Sequence, residues 1–145
     1  MEKKVIININ NLPAIEGITI QINQLIYNLL GNAIKFSGNN LQPVITIGSR
    51  ILNINEVSNH AGLNPSLSYC EISFKDNGIG FDQQFADEIF LIFHTLNSNL
   101  QYSGTGIGLA LCRKIVDNHH GKIIAEGKVN EGASFYIILP VKQPE

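Results

Sequence analysis

The sequence predicts a two-layer α/β sandwich, in which a mixed β-sheet is covered on one face by helices. Three observations carry that expectation. Five segments have strand character, at 5–9, 44–52, 69–76, 121–127 and 133–140. Two longer stretches with helical periodicity, at 21–37 and from a glycine cluster near 104 to His119, fall between them. Some strands follow one another directly and others are separated by a helix. Pairing is therefore both local and across helices, which favours layers over an open parallel sheet.

Val5–Ile9 alternates weakly and reads as an edge strand, closed by Asn10, Asn11 and Pro13. A short segment at Gly17–Ile20 leads into the first helix. That helix is expected over Gln21–Ser37, with Gly38-Asn39-Asn40 as its stop signal. Val44–Leu52 is a strong strand pattern. In Tyr69–Asp76, Ile72 and Phe74 face one way and Glu71, Ser73 and Lys75 the other. The polar connection Asn53–Ser68, broken by Asn59, Gly62 and Pro65, reads as a surface excursion. A short helix is expected over Phe85–Phe93. The polar stretch His94–Ser103 follows, then the glycine-led helix to about His119. Gly121–Gly127 and Ala133–Pro140 close the chain as two strands joined at Asn130-Glu131-Gly132.

Bulk properties bound the function. The 145 residues make one domain, able to bury roughly two-thirds of the unfolded surface. A net charge of −2 without basic runs gives no footprint for nucleic acid or a membrane surface. No apolar run approaches the roughly 18 residues of a membrane span, and no signal peptide is visible. Cys70 and Cys112 fit no metal spacing and read as buried reduced thiols of a cytoplasmic domain.

Three cassettes carry chemistry. On the first helix, Gln24, Asn28, Asn32 and Lys35 share roughly one quarter of the circumference, with Gly31 among them. Leu25, Ile26, Leu29, Leu30, Ala33 and Ile34 fill the other side. A polar face open to water is the plain alternative, but solvated faces favour better helix formers than asparagine. An asparagine carbonyl suits Mg²⁺ shared with substrate phosphates, and Lys35, one turn beyond Asn32, could reach those phosphates. The second cassette, Asp76-Asn77-Gly78-Ile79-Gly80, sets a carboxylate at a strand's end, where it can accept the exocyclic amine of adenine. Its glycines would let backbone approach the base; an ordinary turn is the alternative. The third, Gly104-Thr105-Gly106-Ile107-Gly108-Leu109, sets free backbone N–H groups before a helix N-terminus, an anion site. Leu109-Ala110 replaces the Lys-Ser/Thr pair of a P-loop, and a polar loop precedes it instead of the strand of a dinucleotide fingerprint.

Read together, these stretches resemble the ATP-binding catalytic domain of sensor histidine kinases, within the superfamily shared with gyrase-type and chaperone-type ATPases. Gln24–Phe36 resembles the N box, Asp76–Gly80 the G1 box, Ile89–Phe93 the F box and Gly104–Leu109 the G2 box. The resemblance implies a Bergerat-type sandwich with an ATP lid at about 94–103, poorly ordered without nucleotide and based on Phe90 and Phe93. It implies Asn32 as Mg²⁺ ligand, Asn28 and Lys35 as catalytic groups with Lys35 on the phosphates, and Asp76 on adenine. Gly78, Ile79, Gly80 and Phe93 would complete the ATP contacts, with Gly104, Thr105, Gly106, Ile107, Gly108 and Leu109 in the phosphate-side loop.

Hydrolytic relatives carry a glutamate at the position of Asn28. An amide there cannot act as general base. The resemblance therefore implies transfer of the γ-phosphoryl group from Mg-ATP to a histidine on a dimerisation and phosphoacceptor module of the same polypeptide, and onward to a response regulator. No helical histidine followed by an acid occurs here: His60 lies in the long loop, and His119-His120 end a helix, where turn or surface roles are expected. Residues 1–145 thus read as one domain, the C-terminal fragment of a larger sensor kinase that could be membrane-anchored elsewhere. The stretch 94–103 holds no Lys or Arg, and Thr95 stands near where the family commonly carries an arginine. That departure keeps two alternatives open: a non-catalytic nucleotide-responsive interaction domain, or an anti-sigma-type serine kinase on the same fold.

Overall fold

The computed structural model describes residues 4–39, 42–91 and 107–144. In chain order it holds β1 (Ile6–Ile9), α1 (Thr19–Lys35), β2 (Val44–Ile51), α2 (Ile54–Asn59), β3 (Tyr69–Asp76), α3 (Ile107–Asn118), β4 (Lys122–Lys128) and β5 (Gly132–Pro140). The strands form one sheet in the order β1-β2-β3-β5-β4. β1 runs parallel to β2 and every other pair is antiparallel, so the sheet is mixed. β1 lies at an edge, where its weak alternation placed it.

The main core lies between the sheet and the paired helices α1 and α3. Leu25, Leu29 and Ala33 repeat every four residues along α1 and are buried. They meet Cys70 and Phe74 of β3, Ile45 and Ile47 of β2, Ile137 and Leu139 of β5, and Cys112, Ile115 and Val116 of α3. Each such aliphatic side chain stabilises the fold by roughly 1.5–3 kcal/mol. Phe90 is buried against Phe135 edge to face, ring centroids 6.2 Å apart. α1 ends where Phe36 N–H still donates to the Asn32 carbonyl while Ser37 Oγ donates to that of Ile34; Gly38 then takes φ +63.

Two expectations are corrected. The connection 53–68 is more than a surface excursion, because α2 forms within it. Asn53 Oδ1 accepts from Glu56 N–H at 2.9 Å and Glu56 Oε1 accepts from Asn53 N–H at 3.1 Å, a reciprocal cap that fixes a six-residue helix. Val57 then packs with Leu52, Tyr69 and Ile138 on the sheet face away from α1 and α3. The expected helix over Phe85–Phe93 is replaced, within the described residues, by 3₁₀ turns at Gln83–Phe85 and Glu88–Phe90. Asp82 Oδ1 accepts from Gln84 N–H, and this local bond favours a tight turn over an α-helical start. The expected lid, 94–103, lies outside the described residues, as does Phe93.

Candidate functional site

β3 delivers Asp76 to the end of the sheet, where its carboxylate is half committed. Oδ1 accepts from Gly78 N–H at 2.9 Å and from Ala133 N–H at 3.2 Å. Oδ2 has no donor among the described residues, so one oxygen fixes the carboxylate and the other can recognise a ligand. Burial raises the pKa of this group, and the two N–H bonds pull it back only in part.

The glycines that follow have a sharper reason than clearance for a base. A Cβ on Gly78 would stand 2.5 Å from the Phe36 carbonyl oxygen, at the end of α1. One on Gly80, where φ is +65, would overlap the carbonyl oxygens of Lys128 and Gly132. Gly132, at φ +120, leaves no room for a Cβ beside the Asp76 carbonyl. The close approach is thus between protein backbones. It is clasped by Ile79 N–H to Phe36 O at 2.9 Å, Asn130 N–H to Ile79 O at 2.7 Å and Val44 N–H to Asn77 Oδ1 at 2.9 Å. Through Phe36, the 76–80 turn is bonded to the C-terminal end of α1, one turn from Asn32 and beside Lys35.

The second half of the site is the seam between α1 and α3. Asn28 and Asn32 are half-buried on it, and Lys35 is exposed in the last turn with Nζ 5.7 Å from the Phe36 ring centroid. Gly108, in the first turn of α3, lies beside Asn32: a Cβ there would be 3.9 Å from both Oδ1 and Nδ2. Asn28 Oδ1 accepts from Gln24 Nε2 at 2.9 Å, while Asn28 Nδ2 is buried with no hydrogen-bond partner among the described residues. Leu109 packs against the main core. Gly104, Thr105 and Gly106 lie outside the described residues; Ile107 is placed as the first residue of α3.

The structure therefore joins Asp76–Gly80, Asn32, Lys35 and Gly108 around the C-terminal half of α1. No group of three or more His, Cys, Asp or Glu side chains capable of holding a metal occurs among the described residues. The available donors are neutral amide oxygens, which suit a hard cation that arrives already bound by phosphates and keeps several waters.

His119 is the residue that sequence reasoning misplaced. It sits in the turn that follows α3, as expected, but it is not on the surface: it is 1% exposed. Its Nε2 accepts from Ile18 N–H at 2.9 Å, and Nδ1 lies 2.8 Å from the Ile115 carbonyl, to which it donates. The ring is neutral with the proton on Nδ1, because the other nitrogen already faces a donor. Ile18 is the N-cap of α1 and has no side-chain cap, so α3 supplies the bond that ties down that end. The signal was in the spacing: 112, 115, 116 and 119 share one helical face, and the first three are core residues.

Comparison with known proteins agrees with this geometry. The family described as histidine kinase-, DNA gyrase B-, and HSP90-like ATPase matches residues 17–143. Cyanobacterial phytochrome A of Nostoc sp. is 41% identical over 130 residues, 90% of this chain and 15% of the relative. The adaptive-response sensory kinase SasA of a Synechococcus strain is 34% identical over 131 residues, 90% of this chain and 31% of the relative. The chain thus spans less than a third of the length of these relatives. The nucleotide-free catalytic domain of histidine kinase ThkA superposes with a TM-score of 0.66 at 28% identity, covering 96% of this chain and 80% of that one. ShkA, solved full-length with AMPPNP, shares the fold with a TM-score of 0.70 at 20% identity, over 97% of this chain and 26% of its own. None of the described helices is long and apolar enough to cross a membrane. With an N-box helix, an anchored carboxylate turn and a glycine-led helix converging in the same sandwich, the chain belongs to the histidine kinase-, DNA gyrase B- and HSP90-like ATPase family.

Proposed function

We propose that this domain binds Mg-ATP and passes its γ-phosphoryl group to a histidine on a separate dimerisation and phosphoacceptor module of a larger polypeptide, which then supplies a response regulator. One observation carries the reading: α1 contains no Asp or Glu anywhere, and its polar face offers only amides and Lys35. Asn28 has no basicity with which to activate water. A bound triphosphate would be held for an imidazole nitrogen, whose bond to the γ-phosphorus forms as the bond to the ADP oxygen breaks. Such transfer depends on position and charge neutralisation more than on a base.

Placement supports the roles without testing them: Asp76 Oδ2 would accept the adenine amine, Asn32 would hold Mg²⁺ and Lys35 Nζ would neutralise phosphate charge. Gly108, in the first turn of α3, would offer backbone N–H to a phosphate oxygen, and Gly104 and Gly106 are read from the sequence as residues of the same phosphate-side loop. The work would be done on the cytoplasmic side.

The test is radiolabelled ATP with the purified domain and a histidine-bearing dimerisation module supplied in trans. Label is expected on the histidine, at a rate well above release of free phosphate, and Asn32→Ala should abolish it. Asn28→Glu should raise phosphate release. Rapid hydrolysis by the unmodified domain with no label on the module would overturn the reading. A second reading, a nucleotide-responsive interaction domain without transfer, is favoured by the absence of Lys and Arg from 94–103. It would show as nucleotide binding with no label transferred.

A further inference from the structure

β4 is an edge strand of the sheet, and only part of that edge is closed. Gln83 closes it with a side chain: Oε1 accepts from Gly127 N–H at 2.8 Å and Nε2 donates to the Ala125 carbonyl at 3.4 Å. A primary amide offers the same donor and acceptor as a peptide group, so Gln83 stands where one residue of a sixth strand would. Phe81 anchors the crossing segment, since a Cβ on Gly127 would come within 2.6 Å of its buried ring.

Those two bonds fix which groups face outward. In an antiparallel pair, alternate residues turn both main-chain groups away from the partner strand. With Gly127 N–H and Ala125 C=O facing Gln83, the Ile123 N–H and C=O and the Ala125 N–H face the same way. None of these three groups has a partner among the described residues. The cleft beside them, of about 360 Å³, is lined by every residue from 121 to 125. Side chains of consecutive strand residues point to opposite faces, so the edge of the strand itself forms this wall. α3 supplies Arg113 and Asp117 to a second wall, and Asp87, between the two 3₁₀ turns, stands on a third. None of these three charged side chains forms an ion pair among the described residues.

We propose that the open part of the β4 edge is a docking site for an extended peptide segment bearing an acidic and a basic side chain two residues apart, which joins the sheet as a sixth strand. The Gln83 amide shows what fits this edge: a peptide group, seated one rung away. The charges set the side chains. A residue opposite Ile123 shares its face, which packs toward the core under α3. Strand residues two apart are separated by about 6.7 Å, and helix residues four apart rise about 6 Å. An acid and a base at that spacing can therefore meet Arg113 and Asp117 while the main chain pairs with Ile123. A second copy of the sheet fits less well, because α3 and the 83–87 turns wall the cleft and admit one strand. The site uses no residue placed in the nucleotide pocket and stands independently of the nucleotide reading.

The probe is acetyl-Val-Glu-Val-Lys-Val-amide, titrated to millimolar concentration into the unmodified, ¹⁵N-labelled domain. Saturable shifts of the Ile123 and Ala125 amide signals are expected, with slower hydrogen exchange at both as pairing covers them. The same peptide N-methylated throughout keeps its side chains but has no N–H to donate, and should bind at least about tenfold more weakly. Gln83→Ala frees the Ala125 carbonyl and Gly127 N–H for a longer ladder, so affinity for the first peptide should rise about fivefold. A purely ionic contact with Arg113 and Asp117 would respond to neither change. No shift at Ile123 and Ala125 with millimolar peptide overturns the proposal, as does equal binding of the methylated peptide or unchanged affinity in a folded Gln83→Ala domain. If those two signals instead move with domain concentration and no peptide present, the edge belongs to a second copy of the chain and the proposal also falls.

Discussion

The two halves of the site are built on opposite plans. The Asp76–Gly80 corner is held by backbone: its clasping bonds run from main-chain N–H groups, and its glycines sit where a Cβ would strike a carbonyl oxygen. The α1–α3 seam is held by side chains, with Leu25, Leu29 and Ala33 packed in one core with Cys112, Ile115 and Val116, Asn32 beside Gly108, and Gly31 opening onto empty space. On the proposed reading, the corner would meet the rigid, planar base, since it cannot move without breaking its clasping bonds, and the seam would meet the flexible polyphosphate and its cation. Substitutions should therefore damage folding at the corner and ligand chemistry at the seam.

Gly80→Ala tests the corner most severely. The residue would be forced to hold φ near +65, costing roughly 1–2 kcal/mol. Its Cβ would also collide with the carbonyls of Lys128 and Gly132, which cannot rotate away. We expect a loss of about 3 kcal/mol or more, or no folded protein, in urea denaturation. Wild-type stability would show that the turn is looser than its contacts imply.

His119→Ala breaks the seam where it is structural rather than functional. Ile18 N–H loses its acceptor and a buried ring leaves a cavity, so about 2–3 kcal/mol should be lost. Nucleotide affinity, measured on the fraction still folded, should stay within about twofold, because the clasp lies at the opposite end of α1 from Lys35. A large affinity change would mean that the seam transmits strain along its length.

The same division explains what the sequence could and could not tell. β3 was legible to the residue because its alternation is strict and both ends are punctuated. The N-box face was legible because asparagines one turn apart on an amphipathic helix are poor choices for plain solvation. α2 was missed although Asn53 and Glu56 spell a capping box, since the polar residues around it masked a single buried anchor, Val57. The role of the corner glycines was only half legible: their need was clear, but the carbonyls they avoid come from residues 36, 128 and 132, distant in sequence. His119 was misread because a helix-ending histidine pair looks like surface, and only tertiary contact with Ile18 shows otherwise.

Asp76→Asn separates recognition from stability within the corner. The amide oxygen can keep the bonds from Gly78 and Ala133, but the amide nitrogen replaces the free Oδ2 and would meet the adenine amine donor to donor. ATP affinity should fall at least about tenfold, roughly 1.4 kcal/mol. Stability should rise slightly. The folded-state pKa of Asp76 is raised by burial, so the folded chain holds its proton to higher pH than the unfolded chain does. Between those two values stability falls as pH rises, and above both the deficit stays constant. The stability gained by the amide should therefore open through the acidic range and level off near neutrality, as read from urea titrations at stepped pH. A gain that shrank as pH rose would mean that hydrogen bonds outweigh burial at Asp76.

Gly31→Ala should have the smallest effect, a gain in stability in contrast to the losses at Gly80 and His119. Gly31 is in mid-helix, exposed, and a Cβ there would meet nothing within 4 Å. Alanine should stabilise α1 by about 0.5–1 kcal/mol through lower unfolded-state entropy and better helix propensity. A methyl group at that place also probes the seam, because Gly31 lies on the stripe shared by Gln24, Asn28 and Lys35. If the triphosphate lies over Asn28 and Asn32, calorimetry should give unchanged Mg-ATP affinity in a domain that melts higher. If affinity falls while stability rises, the ligand runs across Gly31 itself, and the polyphosphate path must be redrawn toward the outer edge of α1. Either result sharpens the contrast with Gly80, where the same methyl group would cost the fold before any ligand could report on it.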